Sequence, residues 1–190
     1  MQLPDLSKIV LTTSSEIKRR EFARFGPKGL AIESGEDLPE IMSIPDDIIV
    51  HKAIAAGENK LVEDTILVVD GEPWVDIKFR KHELEKGHVP AGTPLVWEVR
   101  LGFVQDGKVY SYLGQISGQS CKFTISGGGF DPYFFITEQA KSLAQLEVEG
   151  IKDAYSSRRI ALEKLTLAQP YSVLERSSIQ KWEGAWQNQS

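Results

Sequence analysis

Leu61-Val62-Glu63-Asp64-Thr65-Ile66-Leu67-Val68-Val69 is the stretch on which the fold turns. It reads as a central strand: an apolar, β-branched run of strand length with two carboxylates set inside it. A carboxylate buried in a strand is costly unless something pairs with it. Two arrangements relieve that cost. A divalent cation does so, since Mg²⁺ prefers hard carboxylate oxygen. A place at the strand end, solvated or bridged to a lysine, does so as well.

Upstream, Pro45 opens a helix that runs to about Glu58, with Asp46 and Asp47 suited to the positive end of its dipole and Ile48, Ile49, Ala53 and Ala56 on its apolar face. Further back, Lys8 to Leu11 (KIVL) reads as a short buried strand. Thr12 to Ser15 (TTSS) supplies helix-capping residue types, and Ser15 to Phe25 carries helical spacing. Downstream, Asp76 to Glu85 reads as a weaker helix. Val96–Val104 and Lys108–Ile116 read as strands joined by the hairpin chemistry of Gln105-Asp106-Gly107. Lys122–Ile125 and Tyr133–Ile136 read as short strands, and Glu138–Leu146 and Ser157–Ala168 as helices. Strands alternating with helices around a hairpin predict an α/β fold on a mixed sheet. No linker cuts the chain, so 1–190 is expected to be one two-lobed domain, with the tail 171–190, bearing Trp182 and Trp186, packed on the body or used for association.

Bulk composition narrows the function classes. The 190 residues are 41% hydrophobic and 26% charged, enough for a sizeable core. A net charge of -5 argues against a nucleic-acid polymer as partner, while leaving room for a single nucleotide held by a few local cations. Cys121 stands alone, which excludes a disulfide framework and a CxxC metal site and leads us to expect a structural thiol. The opening MQLPDLSKIVL lacks the pattern of a signal peptide, and no run approaches the length of a membrane helix, so the cytoplasm is the expected compartment and no membrane is expected as a partner.

Several residues have chemistry that suits a phosphate ligand. The turn Thr13-Ser14-Ser15 with Lys18 in the first helical turn is either a plain cap or an anion site built from unpaired N–H groups, hydroxyls and one ammonium. Glu40, in Asp37-Leu38-Pro39-Glu40, is a third carboxylate within reach of a metal or a solvated loop residue. Lys52 lies in the Pro45 helix beside apolar neighbours. Gly127-Gly128-Gly129-Phe130-Asp131-Pro132 lets backbone approach a ligand or simply turns the chain. Lys152 and Arg158 flank Tyr155-Ser156-Ser157 at a helix start. His51, His82 and His88 have no metal-ligand spacing, and no GxSxG or Walker-type loop is present.

The order and context of these blocks resemble one family, the inosine triphosphate pyrophosphatases (also called Ham1-like), which remove deaminated purine nucleotides such as ITP, dITP and XTP. The family's T-G-N-x-x-K turn is matched by Thr13-Ser14-Ser15-Glu16-Ile17-Lys18. Its D-L-P-E segment is Asp37 to Glu40 and its V-E-D-T strand is Val62 to Thr65, both unchanged. The helix lysine is matched by Lys52, the G-[YW]-D-P loop by Gly129-Phe130-Asp131-Pro132, and the E-K-N-x-x-S-H-R element by Ile151 through Arg158. The blocks span about residues 8 to 165.

The resemblance implies an elongated mixed sheet between two α/β lobes with a nucleotide cleft, and a Mg²⁺-dependent reaction that converts a nucleoside triphosphate and water to the monophosphate and pyrophosphate. It implies that Glu40 and Asp64 hold Mg²⁺, Asp64 also orienting or deprotonating the attacking water. Lys18, Lys52 and Lys152, joined by Lys78, would contact the triphosphate. Thr13, Ser14, Ser15 and Thr65 would donate hydrogen bonds to phosphate or sugar. Asp131 and Arg158, with Gly128, Gly129, Phe130 and Ser157 beside them, would face the nucleoside. A homodimer is the common assembly.

Four departures from the family pattern fall mainly on the base side. Ser14-Ser15 replaces Gly-Asn in the phosphate turn, and the glycine-proline stretch after VEDT is reduced to Gly71-Glu72-Pro73-Trp74. Gly128 takes the place of the aromatic residue that stacks on the base, and Ser157 that of the histidine in S-H-R. Loss of a stacking face removes about 1–3 kcal/mol from a nucleotide complex. The expectation is therefore a pyrophosphatase for a different or bulkier, deaminated or otherwise modified purine nucleotide, unless Phe130, Tyr133 or Trp74 restores the stacking. The alternative is an ITPase-like binder with little or no turnover.

Overall fold

Apolar strand runs and capped helices assemble as a mixed α/β structure, seen in a computed structural model that describes residues 4–187. Five α-helices, α1 (Glu16–Phe25), α2 (Pro45–Ala56), α3 (Ile77–Glu85), α4 (Leu143–Val148) and α5 (Ser157–Thr166), accompany nine strands among the described residues. The strands are β1 (Val10–Thr13), β2 (Ala31–Ser34), β3 (Lys60–Val69), β4 (Glu72–Trp74), β5 (Pro94–Gln105), β6 (Lys108–Ser120), β7 (Phe134–Ile136), β8 (Lys141–Ser142) and β9 (Ser172–Glu175). Their order is β2-β1-β3-β5-β6-β7-β8, with β4 on β3 and β9 on β6. The sheet is mixed: β1 is parallel to β2 and β3, whereas β4, β7, β8 and β9 join antiparallel.

The chain forms two compact units, each assembled from discontinuous segments: 1–64, 99–114 and 158–190 make one, and 65–98 and 115–157 the other. In the first unit the apolar face of α2 (Ile49, Val50, Ala53) packs on Val62, Val104 and Val109 of β3, β5 and β6. The helix starts with Pro45, whose missing N–H is harmless there, and ends at Gly57, whose φ of 95° is open to glycine. Gly102 lets this helix lie close: a Cβ there would sit 2.8 Å from the Ile49 side chain. The hairpin turn between β5 and β6 has Asp106 and Gly107 both at positive φ, the signature of a tight primed turn. The second unit buries Leu95, Trp97, Phe130, Tyr133, Phe134, Leu143 and Leu146.

Three expectations are corrected. Glu138–Leu146 is not one helix: Ala140 adopts the left-handed conformation, and Ser142 caps α4 through a reciprocal capping box with Gln145, so the helix begins only at Leu143. Lys122–Ile125 is not a strand. There the Thr124 hydroxyl bonds to the Pro132 carbonyl and to Ser142, and the backbone leaves the ladder. Lys8 belongs to a 3-10 turn (Leu6–Lys8) capped by Asp5, so β1 starts two residues later. The tail packs within the first unit through β9 and through a bridge from Trp186 to Ile41, while Asn188–Ser190 lie outside the described residues. No helix among the described residues is long and apolar enough to cross a membrane.

Gly118 of β6 tests the second unit's packing. A Cβ there would lie 2.5 Å from the Phe135 carbonyl oxygen and closer still to the Phe134 ring. Gly118→Ala is expected to cost about 1–3 kcal/mol of unfolding free energy, the usual penalty of overpacking a filled core, in a denaturant titration.

Candidate functional site

Within the first unit, β3 delivers two buried carboxylates, and three helices deliver cations to them. Glu63 and Asp64 are each 4% exposed. Lys18 comes from the first turn of α1, which the Ser15 side chain caps by accepting from the Lys18 N–H. Its ammonium lies 3.3 Å from Glu63 Oε1. Lys52 comes from α2 and lies 2.5 Å from Glu40 Oε1 and 3.7 Å from Asp64 Oδ1. Arg158, in the first turn of α5, clasps Glu63 through Nε at 2.8 Å and Nη2 at 3.1 Å, and pairs with Glu21 of α1 as well. Glu40 and Asp64 thus share one ammonium.

Their electrostatics separate the roles. Burial pushes the Asp64 carboxyl up from 3.8 to about 6, against the opposing pull of Lys52. Asp64 Oδ2 is buried and has no hydrogen-bond partner among the described residues. Burial works against the Lys52 ammonium, but Asp64 and Glu40 outweigh it and raise its pKa above the ordinary value. Arg158 is drawn down to about 10 by burial, which still leaves it fully charged at neutral pH.

The turn before α1 is tied down by its own side chains. The Thr13 hydroxyl oxygen accepts from the Ser15 N–H at 3.2 Å, and the Ser14 hydroxyl donates to Asp37 at 2.8 Å. Thr13 and Ser15 act as acceptors in these bonds, so their hydroxyl protons remain available to an anion. Thr65 follows Asp64 in β3 and is half-buried.

In the second unit, the glycine-rich loop leads into a 3-10 turn (Asp131–Tyr133). Gly129 has a φ of 51°, and the Asp131 N–H donates to the Gly128 carbonyl. Lys152 reaches Asp131 Oδ2 at 2.5 Å and Glu147 at 3.5 Å. Burial raises the Asp131 carboxyl above its usual range although Lys152 works in the other direction. Phe130 is buried and meets Trp97 edge-on at 6.0 Å. Lys78 is exposed on α3, its ammonium over the Phe79 ring. Ser157 is fully buried and donates to the Trp97 carbonyl at 2.6 Å, so its hydroxyl is already committed. Cys121 has its thiol pushed up by burial, which disfavours a nucleophilic thiolate.

Of the two carboxylates around Arg158, Glu63, the anchor for Lys18 and Arg158, stands out in the sequence only as half of a carboxylate pair needing a cation or a lysine, and Glu21, which completes the Arg158 pair, receives no role there. The one sequence signal for Glu21 is its place three residues after Lys18 on one helix.

The donor set fits a hard divalent ion. Asp64 Oδ2 is an orphaned buried acceptor, Glu40 supplies a second carboxylate beside it, and Mg²⁺ typically takes one or two protein carboxylates and completes its shell with water and substrate phosphate. No group of three or more His, Cys, Asp or Glu side chains suited to a metal occurs among the described residues.

The architecture as a whole is that of the Ham1 proteins. The Ham1 protein of Staphylococcus aureus superposes with a TM-score of 0.63 at 21% identity, over 83% of this chain and 96% of that one. A HAM1 protein from Coxiella burnetii superposes with a TM-score of 0.61 at 19% identity, over 84% of this chain and 97% of that one. No family model and no curated protein sequence matches the chain. The likeness is one of fold, and the site's chemistry has to be argued from its own residues.

Because its folded-state pKa lies above 3.8, Asp64 favours the folded state only when protonated. That contribution is complete below pH 3.8 and is lost as the pH rises through about 6. Asp64→Asn should therefore flatten that dependence: its unfolding free energy relative to the wild type should rise between pH 4 and pH 7.5, as read by thermal or urea unfolding across that range.

Proposed function

We propose that the protein is a Mg²⁺-dependent nucleoside triphosphate pyrophosphatase, cleaving its substrate to the nucleoside monophosphate and pyrophosphate. The observation that carries this reading is the grouping of Glu40, Lys52 and Asp64, with an unpartnered carboxylate oxygen on Asp64 and a lysine-bearing helix start beside them. Phosphoryl transfer asks a protein mainly to position the reactants and to neutralise charge. Lys18 and Lys52 meet the second demand.

Asp64 serves as the base. Its Oδ2 accepts a proton from water as the water oxygen bonds to the α-phosphorus. The bond from that phosphorus to the bridging oxygen breaks, and pyrophosphate leaves with the electron pair. Lys18 and Lys52 compensate the charge gained by the leaving group, and Thr13, Ser15 and Thr65 orient the phosphate oxygens, while Ser14, whose hydroxyl donates to Asp37, holds the turn. Glu40 and Asp64 would hold the Mg²⁺, which supplies Lewis-acid polarisation of the phosphates when bound. Lys78, Asp131, Lys152 and the Gly128–Phe130 loop keep the substrate contacts that the resemblance assigns to them. Arg158 and Ser157 are given no substrate contact, because ion pairs with two glutamates and the Trp97 carbonyl already use their polar atoms. A homodimer in the cytoplasm is the setting this reading carries with it.

The test is a mass-spectrometric screen of nucleoside triphosphates, ITP and XTP included, with Mg²⁺. Monophosphate and pyrophosphate should appear together, and release of orthophosphate from every substrate would overturn the proposal. Asp64→Asn should remove about 10²–10⁴-fold of the rate, the usual share of a general base. Retained binding with no turnover in the wild type would favour the non-catalytic alternative.

Base selectivity is testable at Gly128. Its φ is ordinary, and a Cβ there would meet only the Asp131 carboxylate, at 3.8 Å. Gly128→Trp should fold normally and tighten ITP binding by about tenfold or more, the worth of one stacked base; calorimetric titration with a non-hydrolysable analogue reads it.

A further inference from the structure

The C-terminal tail lies outside every block that carries the family resemblance, yet it touches the backbone of a residue in the candidate site. We infer that Trp182–Gln187 is a strap that positions Glu40, with Gln187 as its principal positioning residue. The inference rests on the role proposed for Glu40.

Glu40 sits in a stretch, 35–44, with no regular secondary structure apart from one bridge residue, Ile41. That bridge is antiparallel to Trp186. Around it the Gln187 N–H donates to the Glu40 carbonyl at 2.8 Å, and the Met42 N–H donates to the Ala185 carbonyl at 2.9 Å. The Gln187 side chain adds a third tie, its Nε2 donating to the Ile41 carbonyl at 3.1 Å. Gln187 is only 6% exposed, and of its buried amide the Nε2 is bonded to Ile41 while the Oε1 has no hydrogen-bond partner among the described residues.

The strap has a rigid turn of its own. The Trp182 indole N–H donates to the same Ala185 carbonyl that accepts from Met42. The Trp182 ring covers Gly184 so closely that a Cβ there would lie 2.5 Å from it. The ring also meets His51 edge-on at 5.9 Å. His51 precedes Lys52, whose ammonium binds the Glu40 carboxylate. The strap therefore holds Glu40 from two sides: through its own backbone, and through the helix that carries its side-chain partner. Two or three backbone ties in place of an open loop reduce the conformations Glu40 must lose when a ligand or ion binds, which is where preorganisation raises affinity.

Gln187→Pro removes the backbone donor to Glu40 together with the side-chain tie to Ile41, and truncation after Lys181 removes the whole strap. Hydrogen exchange should show the Met42 amide, which donates to the Ala185 carbonyl, exchanging about tenfold faster or more in Gln187→Pro as the strap loosens, the weight of about one hydrogen bond, with the β3 amides unchanged. Titration with an α,β-imido nucleoside triphosphate in Mg²⁺ should show affinity about tenfold weaker, and in turnover KM should rise more than kcat falls. Restoring the backbone donor with Gln187→Ala should recover most of the exchange protection. Unchanged exchange at Met42 in Gln187→Pro overturns the strap, and so does faster exchange with unaltered analogue affinity. If the truncated chain does not fold, Gln187→Pro decides alone. A wild type that hydrolyses no nucleotide refutes the pyrophosphatase while leaving the exchange result to decide the strap.

Discussion

A pair of carboxylates buried in a hydrophobic strand is the constraint around which the first unit is built. Glu63 and Asp64 bring two negative charges to a place where water does not solvate them, and an uncompensated charge there would unfold the strand or protonate. Each of three helices answers with one cation: Lys18 from α1, Lys52 from α2 and Arg158 from α5. Successive residues of a strand point to opposite faces, so the close ion pairs divide between the two carboxylates, although each also feels the other's lysine. Glu63 takes Arg158 and Lys18; Asp64 takes Lys52. The alternation divides the labour, because Glu63 is fully engaged in holding helices while Asp64 keeps one oxygen unpaired.

That asymmetry separates structure from function in one dipeptide. A saturated carboxylate is a structural tie, worth more in fixing where α1 and α5 go than in net stability, since desolvation consumes much of a buried ion pair's attraction. An unsaturated one is a liability to the fold and is kept where a ligand, an ion or a proton will complete it. The pKa of about 6 at Asp64 expresses the same imbalance: burial outweighs Lys52, and the carboxyl sits where it can take and release a proton near neutral pH.

Much of this was legible in the sequence because the signals are local. The apolar run of β3, the Pro45 start of α2, the Ser15 cap of α1 and the Asp106-Gly107 turn each depend on a few neighbouring residues, and each falls where its chemistry puts it. What was not legible depends on distant partners. Ala31–Ser34 and Ser172–Glu175 are largely exposed edge strands without a strong pattern, and they become strands because β1 and β6 offer them unpaired backbone. The helix expected over Glu138–Leu146 fails because Ser142 and Gln145 bond to each other's backbone and start a new helix five residues late, at Leu143. Arg158 gave a charge at a helix start, which suits a ligand contact and a buried tie equally. The tie is made by Glu21 and Glu63, 137 and 95 residues away along the chain, which no local pattern announces.

The same distinction bears on the departures from the family pattern. Ser14-Ser15 in the phosphate turn would be damaging if the turn needed glycine freedom, but no residue from Thr13 to Ser15 has positive φ, and the serine hydroxyls supply bonds to Asp37 and to the α1 backbone. The changed residues are thus absorbed by the turn's own hydrogen bonding, and Lys18 still enters at the first helical turn. Gly128 and Ser157 differ in kind. Ser157 gives up a side chain able to face a ligand and spends its hydroxyl inside the second unit, while Gly128 leaves open space beside Asp131. Lys18, Lys52 and Asp64 are tied with Glu40 and Glu63 into one network of buried charge, where a change at one member is felt by the others. Gly128 and Ser157 lie outside that network, so its charge balance places no constraint on them.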